Sequence, residues 1–295
     1  MGSNANYVSV IIPTYNRAFE LDRCLNSLVN QTVNCFEVIV CDDGSTDNTS
    51  EVVEKYKTLL NITYLKDVNF GGPSRPRNNG IKQSQGDIIA FLDSDDWWYP
   101  NKLEVSMKYI VDYDIVYHNL EIKSDNNKFR GVVKSKKLDE FNVFKDLIIN
   151  GNPIPNSSVL IKKDIVNIIG FVSEEEELIA VEDYDFWIRV SRHTNKFYFL
   201  NEILGGYWVG SNISYSISQI ERDRALLNKY ISFLSPKERK IALNLRKFNS
   251  ARLYHKLGYF DIGKKIYFDL INSSNINIAL KSFVGYIFCV IKYQY

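Results

Sequence analysis

The first hundred residues alternate between β-branched apolar runs and apolar residues at helical spacing, and this alternation restricts the fold more than any other feature. The runs predict buried strands, and the segments between them predict covering helices. Such alternation is typical of an α/β fold with a mostly parallel sheet. The predicted strands are residues 7–13, 36–41, 62–65 and 87–92, and the predicted helices are residues 21–28, 47–60 (with Asp47 as N-cap) and 74–84.

The middle of the chain is less regular. Its predicted elements are strands at residues 115–117 and 158–161 and a helix at residues 181–192. From Ser214 onward the spacing of apolar residues is helical to the end of the chain. The 295 residues suffice for one large domain or for a domain with an appendage. We predict an α/β domain over residues 1–214 and a helical C-terminal region over residues 215–295, the latter associating with a membrane or with a second copy.

Polar residues follow three of the predicted strands, at the points where the strands end. They are residues 14–17, 42–45 and 93–96. In parallel sheets covered by helices, ligands bind beyond the carboxyl ends of the strands. The sequence therefore predicts a ligand site where these three clusters meet.

Asp93 and Asp95 are two residues apart, so in an extended chain their side chains point to the same side. Two carboxylates at a strand end form a hard-oxygen site that suits Mg²⁺ or Mn²⁺. Such a cation can bridge a diphosphate and offset the charge that grows on a leaving group. The plainer alternative is a solvated acidic turn or the N-cap of the segment after Pro100.

Two further features are suited to a nucleotide. Asp42 and Asp43 can accept a hydrogen bond from a nucleobase or ribose, although Asp-Gly-Ser also suits an ordinary turn. The glycine-containing loop at residues 69–74 precedes a helix that carries Arg75 and Arg77. Glycines let the backbone approach a ligand closely, and the start of a helix that carries arginines favours anions. The alternative is a flexible loop followed by a solvated helix face.

Glu182 and Asp183 begin the predicted helix EDYDFWIRV. A carboxylate in the first turn lies near the positive end of the helix dipole, where it can stay ionised and act as a general base. Ordinary N-terminal capping would explain the same pair.

Composition excludes several classes of protein. The net charge of +1 offers no general attraction for nucleic acid. Four scattered cysteines match no zinc motif, and Cys24 and Cys41 lie in apolar surroundings that predict buried thiols. The polar first residues lack a signal-peptide pattern, and no run reaches the roughly 18 apolar residues of a membrane span. We therefore expect a cytoplasmic protein.

Five segments, in this order, resemble the family 2 glycosyltransferases, which are inverting enzymes with the GT-A fold. The resemblance covers residues 7–214, and any one motif alone would be weak. The matching segments are VSVIIPTYNR, FEVIVCDDGSTDNT, NFGGPSRPRNNGI, GDIIAFLDSDDWWYPNKLE and VEDYDFWIRV.

The resemblance implies a role for each matching residue. Asp43 would pair with the uracil imide, Asp93 would contact the ribose, and Asp95 would bind Mn²⁺ or Mg²⁺. Asp183 would be the catalytic base, and Glu182 would orient the acceptor or the base. The remaining nucleotide-binding residues would be Pro13, Tyr15, Arg17, Asn69 and Arg77, the last near the base and diphosphate.

The chain departs from the family at one place. Many relatives carry Tyr-Arg-x-His before a late serine, and that histidine helps to bind metal or diphosphate. Here the segment begins Tyr207-Trp208-Val209-Gly210, and the late serine is Ser214. Gly210 stands where the histidine would be, which leaves open how the diphosphate is held.

The resemblance implies transfer of a sugar from a nucleotide-sugar, with UDP favoured, to a hydroxyl of a glycan or lipid-linked oligosaccharide during surface polysaccharide biosynthesis. Two alternatives are a nucleotidyltransferase, although no glycine-rich loop follows the first strand, and a catalytically silent binding module. The apolar residues 278–291 and nearby lysines predict a peripheral contact with the anionic inner face of the cell membrane. Packing in a homodimer is the alternative for this segment.

Overall fold

The computed structural model describes residues 7–124, 129–210, 216–273 and 275–293, and the chain divides into two compact units. The first unit comprises Met1–Phe144, Pro153–Glu175 and Glu182–Gly210. The second unit comprises Ser211–Tyr295 and the two short segments that interrupt the first, at residues 145–152 and 176–181. The predicted boundary between residues 214 and 215, like Ser214 itself, lies outside the described residues.

Within the described residues, nine strands form one sheet in the order β3-β2-β1-β4-β8-β6-β9-β5, with β7 paired to β6. The strands are β1 (Val8–Thr14), β2 (Phe36–Asp42), β3 (Ile62–Lys66), β4 (Ile88–Phe91), β5 (Trp97–Trp98), β6 (Ile115–Lys123), β7 (Phe129–Val133), β8 (Leu160–Lys162) and β9 (Phe197–Trp208).

The first four strands are parallel, as the alternation predicts. Val8 on β1 pairs with Phe36 on one side and with Ile88 on the other. Every residue of β1, β2 and β4 is buried, because helices cover both faces of this part of the sheet. Consequently these strands read as continuous apolar runs rather than as alternating ones.

Beyond β4 the sheet becomes mixed. Strand β8 is antiparallel to both of its neighbours, β4 and β6, whereas β6 and β9 are parallel. Hydrophobic patterns indicate a strand but not its direction, since direction depends on where the chain re-enters the sheet. The sequence also did not predict β9, whose buried residues do not alternate and whose pairing with β6 shifts register.

The helices of the first unit cover this sheet. Gly80 allows close packing, because a Cβ there would lie 2.7 Å from both the Cys41 Sγ and the Ile11 Cγ2 atoms. The helices are α1 (Ala18–Val29), α2 (Thr49–Tyr56), α3 (Ser74–Gln83), α4 (Lys102–Ile110), α6 (Lys163–Ile169) and α7 (Glu182–Ser191), while α5 (Val143–Asn150) spans the change between units.

The prediction for α2 was wrong at both ends. The helix begins at Thr49 and ends at Tyr56, and its N-cap is Asn48 rather than Asp47. The Asp47 carboxylate instead links two helix starts, accepting hydrogen bonds from the backbone N–H groups of Thr49 (3.1 Å) and Ala18 (3.0 Å). Asp47 therefore still bonds to the first turn of α2, from the position before the N-cap, and it serves the start of α1 as well.

The second unit is helical, as predicted. Ser235 and Glu238 form a capping box at the start of α9. The helices are α8 (Ser218–Tyr230), α9 (Pro236–Lys256), α10 (Phe260–Leu270) and α11 (Ile276–Val290). Their small core consists of Phe248, Ala251, Tyr267, Leu270, Ile278 and Cys289. No helix in the described ranges is long and apolar enough to cross a membrane.

Candidate active site

The loop after β4 carries the acidic cluster, and a short segment far along the chain holds it. The Asp93 Oδ1 atom accepts from Asn156 Nδ2 (3.1 Å), and the Asp93 backbone N–H donates to Ser157 Oγ (3.1 Å). Both partners belong to a 3₁₀ turn at Asn156–Ser158. The sequence analysis missed these residues, because nothing local connects them to the acidic loop.

Asp95 is half-buried and lies among like charges. Burial and the carboxylate of Asp93 raise the pKa of Asp95, while the nearby cation of Arg17 lowers it. The Arg17 Nη1 atom is 3.9 Å from Asp95 Oδ2, and Arg23 Nη2 donates to the Asp95 carbonyl at 2.5 Å. A crowded carboxylate of this kind is suited to a cation.

The carboxylates present would fit a divalent metal that takes most of its other ligands from water and from phosphate oxygens. Among the described residues, no three His, Cys, Asp or Glu side chains form a cage for an ion. Mg²⁺ commonly keeps several waters and takes one or two carboxylates plus substrate phosphates, so a complete protein cage is not required. Asp95 can provide such a carboxylate, with Asp93 beside it.

The acidic pair after β2 has two different tasks. The Asp42 carboxylate accepts from the Ser45 backbone N–H (2.7 Å) and from the Tyr64 hydroxyl, and so shapes the turn. The Asp43 carboxylate holds the glycine loop, accepting from the backbone N–H groups of Phe70 (2.9 Å) and Gly71 (3.2 Å). A carboxylate has about four acceptor positions, so Asp43 retains capacity for a base N–H.

The remaining predicted nucleotide residues surround this loop. Asn69 Nδ2 donates to the Asp43 carbonyl at 3.1 Å, Pro13 is buried at the end of β1, and the Tyr15 ring is exposed. A cleft of about 450 Å³ opens beside Asp43, between the ends of β2 and β3 and helix α3. The residues that line this cleft do not include Asp95.

Arg77 joins the acidic loop to the start of α7. Its Nη2 atom is 2.6 Å from Asp93 Oδ1, and its Nη1 atom is 2.5 Å from Glu182 Oε1. The guanidinium is buried, and the two carboxylates raise its already high pKa, so it stays charged. The sequence predicted Arg77 as a nucleotide contact, whereas in the structure its charge is shared by two carboxylates.

Asp183 is half-buried beside this bridge. Its Oδ1 atom accepts from the Tyr184 backbone N–H at 2.7 Å. Burial and the charge of Glu182 raise the pKa of Asp183 to about 7, although Arg77 acts to lower it. A carboxylate with a pKa near neutrality can both accept and release a proton at ordinary pH.

An aromatic cluster fixes α7 against β4. The rings of Phe186 and Trp187 lie edge-on to Phe91, with centroids 6.3 and 6.0 Å away. Phe91 is the last residue of β4, two residues before Asp93. The acidic loop after β4 and the acidic start of α7 are therefore held together by this aromatic contact as well as by Arg77.

Solved structures with similar folds are glycosyltransferases. The full TarS structure of Staphylococcus aureus matches with a TM-score of 0.64 and 24% identity, covering 97% of this chain and 53% of TarS. The mannosyltransferase PcManGT of Pyrobaculum calidifontis, solved with GDP-Man and Mn²⁺, matches with a TM-score of 0.65 and 15% identity, covering 98% and 81%. The fold of this chain is thus the GT-A fold, as predicted.

The family model described as glycosyl transferase family 2 matches residues 9–166, which is more than half of the chain. The chain therefore belongs to glycosyl transferase family 2.

Two curated relatives have named activities. The chain is 33% identical over 200 residues to the S. aureus poly(ribitol-phosphate) beta-N-acetylglucosaminyltransferase TarS, covering 65% of this chain and 35% of TarS. It is 30% identical over 194 residues to the Escherichia coli UDP-Glc:alpha-D-GlcNAc-diphosphoundecaprenol beta-1,3-glucosyltransferase WfgD, covering 64% and 71%. An uncharacterized glycosyltransferase of Rickettsia bellii is 35% identical over 189 residues. The matched part spans 26% of the Rickettsia protein and 35% of TarS.

Proposed function

We propose that this chain transfers a hexose or N-acetylhexosamine from a UDP-sugar to a hydroxyl of a glycan or lipid-linked oligosaccharide, with inversion at the anomeric carbon. The observation that carries the proposal is the Arg77 bridge. One guanidinium contacts Asp93, in the acidic loop that would meet the donor, and Glu182, next to the base that would meet the acceptor. The names of TarS and WfgD support a UDP-sugar donor and surface-glycan acceptors.

On the donor side, Asp43 would accept the base N–H, and Asp93 would accept from a ribose hydroxyl. The exposed Tyr15 ring would cover the base. Mn²⁺ or Mg²⁺, bound at Asp95, would stabilise negative charge on the departing diphosphate. The other donor contacts would come from Pro13, Arg17, Asn69 and Arg77.

On the acceptor side, Asp183 would remove the proton from the attacking hydroxyl. A bond forms between that oxygen and the anomeric carbon while the bond from this carbon to the diphosphate oxygen breaks, so UDP leaves and the configuration inverts. Glu182 would keep the acceptor or Asp183 in orientation, since Arg77 fixes its carboxylate. Positioning and charge stabilisation would supply most of the rate.

We also propose that the enzyme works at the anionic inner face of the cell membrane, where lipid-linked acceptors reside. The support is a row of exposed apolar residues on α11 and its C-cap residue, Ile291, which we call the apolar stripe. It consists of Ile276, Leu280, Phe283, Val284, Ile287, Val290 and Ile291. A helix with such a face can lie in the membrane interface without crossing it. A homodimer that buries the stripe is the competing arrangement.

The test begins with thermal-shift screening of UDP-, GDP- and dTDP-sugars in the presence of Mn²⁺. Hydrolysis of the best donor is then measured, and the transfer product is examined by NMR. We expect an α-linked UDP-sugar to be consumed and to give a β-linkage. A product with retained configuration would exclude the one-step mechanism. Binding without any hydrolysis would indicate a silent module, and release of sugar 1-phosphate would indicate a nucleotidyltransferase.

A further inference from the structure

The indole of Trp208 occupies the space that a side chain at position 210 would need. A Cβ atom added to Gly210 would lie 1.8 Å from Cη2 and 2.1 Å from Cζ2 of that indole. Contacts this short cannot exist, so any larger residue at position 210 requires Trp208 to move. Trp208, which stands at the arginine position of the Tyr-Arg-x-His pattern, thus excludes a side chain at the histidine position.

Trp208 connects the acidic loop to Arg17, through its backbone on one side and its indole on the other. The Trp208 backbone N–H donates to Asp96 Oδ1 at 2.9 Å, which ties the end of β9 to the loop after β4. The Arg17 guanidinium lies over the Trp208 ring, with Cζ 5.2 Å from the ring centroid. Its Nη1 atom is 3.9 Å from Asp95 Oδ2 and 3.5 Å from Glu20 Oε1.

We propose that Arg17, held by Trp208, binds the diphosphate of the donor and so replaces the cationic contact that position 210 cannot provide. This inference rests on the proposed nucleotide-sugar donor. Arg17 remains partly exposed, at 23%, beside the carboxylate that would take the metal. A planar guanidinium can bind two phosphate oxygens at once, and stacking on an indole fixes its plane. Trp208 would act as a positioning residue, through Arg17.

The test compares the binding of UDP, inorganic pyrophosphate and uridine by calorimetry with Mn²⁺ present. Arg17→Gln should weaken UDP and pyrophosphate binding about 10- to 100-fold, because a charge-assisted contact is lost, and leave uridine binding unchanged. Arg17→Lys should be intermediate, since it keeps the charge but not the fork. Arg192→Gln is the matched control, as Arg192 stacks on Phe144 (5.9 Å) at the far end of α7.

Variants at the indole separate positioning from folding. Trp208→Leu should weaken UDP binding in the same direction as Arg17→Gln but less. Gly210→His alone should lower the melting temperature, whereas the double change Trp208→Arg with Gly210→His should recover much of that loss together with UDP binding.

Two results would overturn the assignment. They are wild-type UDP affinity in Arg17→Gln, and an equal loss of uridine and UDP affinity in that variant. Wild-type protein that binds neither UDP nor uridine would refute the proposed donor, and this inference with it. Wild-type protein that binds uridine but not pyrophosphate would refute the Arg17 assignment alone.

Discussion

The two units of this chain place charge and apolar surface in opposite ways. In the first unit, Arg77 is only 5% exposed and is enclosed with carboxylates, while the apolar strands lie in the core. In the second unit, a row of apolar residues lies outside: Phe283 and Leu280 on α11 are 51% and 59% exposed. Buried charge is costly unless it is paired, and exposed apolar stripes are uncommon on soluble monomers. Each unit thus departs from the usual arrangement at the place where we propose that it functions.

The charges of the two units differ as well. In the site of the first unit, burial and the charge of Asp93 raise the pKa of Asp95, and burial and the charge of Glu182 raise the pKa of Asp183. Residues 236–295 contain eleven Lys or Arg and three Asp or Glu. The first arrangement suits a cation and a proton transfer, and the second suits an anionic surface. The variants below test whether these properties are separable.

The largest effect is expected from Asp183→Asn. Loss of the base should lower kcat by about 10²- to 10⁴-fold, while the affinity for the UDP-sugar stays unchanged. Turnover and calorimetry provide the two measurements. Asp164→Asn, at an exposed position in the first turn of α6, is the control and should behave as wild type. Loss of donor affinity in Asp183→Asn would instead assign this residue to the donor site.

Asp95→Asn should lower turnover by about 10²- to 10³-fold, because the carboxylate that would hold the metal loses its negative charge. The binding of UDP should also lose its dependence on Mn²⁺, which titration with and without chelator detects. The matched control is Asp87→Asn, at an exposed position just before β4. If the Asp95→Asn variant were fully active in the presence of chelator, Asp95 would not be a ligand of a catalytic metal.

Leu280→Lys with Ile287→Lys should reduce co-sedimentation with anionic liposomes about tenfold or more, since two apolar side chains no longer insert. These changes keep the buried face of α11 intact, whereas ending the chain at Asn275 would remove Ile278 and Cys289 from the core. Leu243→Lys, at another exposed leucine of the second unit, is the control.

Unchanged sedimentation of the double variant would contradict membrane contact through the stripe. If the wild type forms a concentration-dependent dimer and the double variant does not, the stripe contacts a second copy of the chain. Transfer to a soluble acceptor should be the same in wild type and variant, because the substitutions lie outside the site of the first unit.

The smallest effect concerns pH. The ionised form of Asp183 is the active one, so kcat should rise with pH through about 7 and then level off. Arg77→Gln removes a cation that lowers this pKa, and the acid limb should therefore move to higher pH by about one unit. Arg77→Lys should shift it less. An acid limb that stays in place in Arg77→Gln would mean that another group titrates.

Much of the fold could be predicted because its signals are local. Burial alone explains the apolar runs of β1, β2 and β4, and every residue of these strands is buried. It also explains the helical spacing on α1, where the buried residues include Leu21, Cys24, Leu25 and Leu28. The polar clusters could be located for the same reason, since parallel strands end at one edge of a sheet. The residue roles taken from the family resemblance stay predictions until the variants are measured.

Local patterns predicted the first four strands and the residue types that gather at their ends. The partners of those residues depend on the tertiary structure. Arg77 meets Glu182 from 105 residues away, and Trp208 meets Asp96 from 112. The tertiary structure also places one face of α11 inward and leaves the stripe outside; the inward residues are Ile278, Ala279, Ser282, Gly285 and Cys289. Hydrophobic periodicity indicates which face of one element is apolar. Which side chains meet, and which faces become covered, depends on how distant segments of the chain fold together.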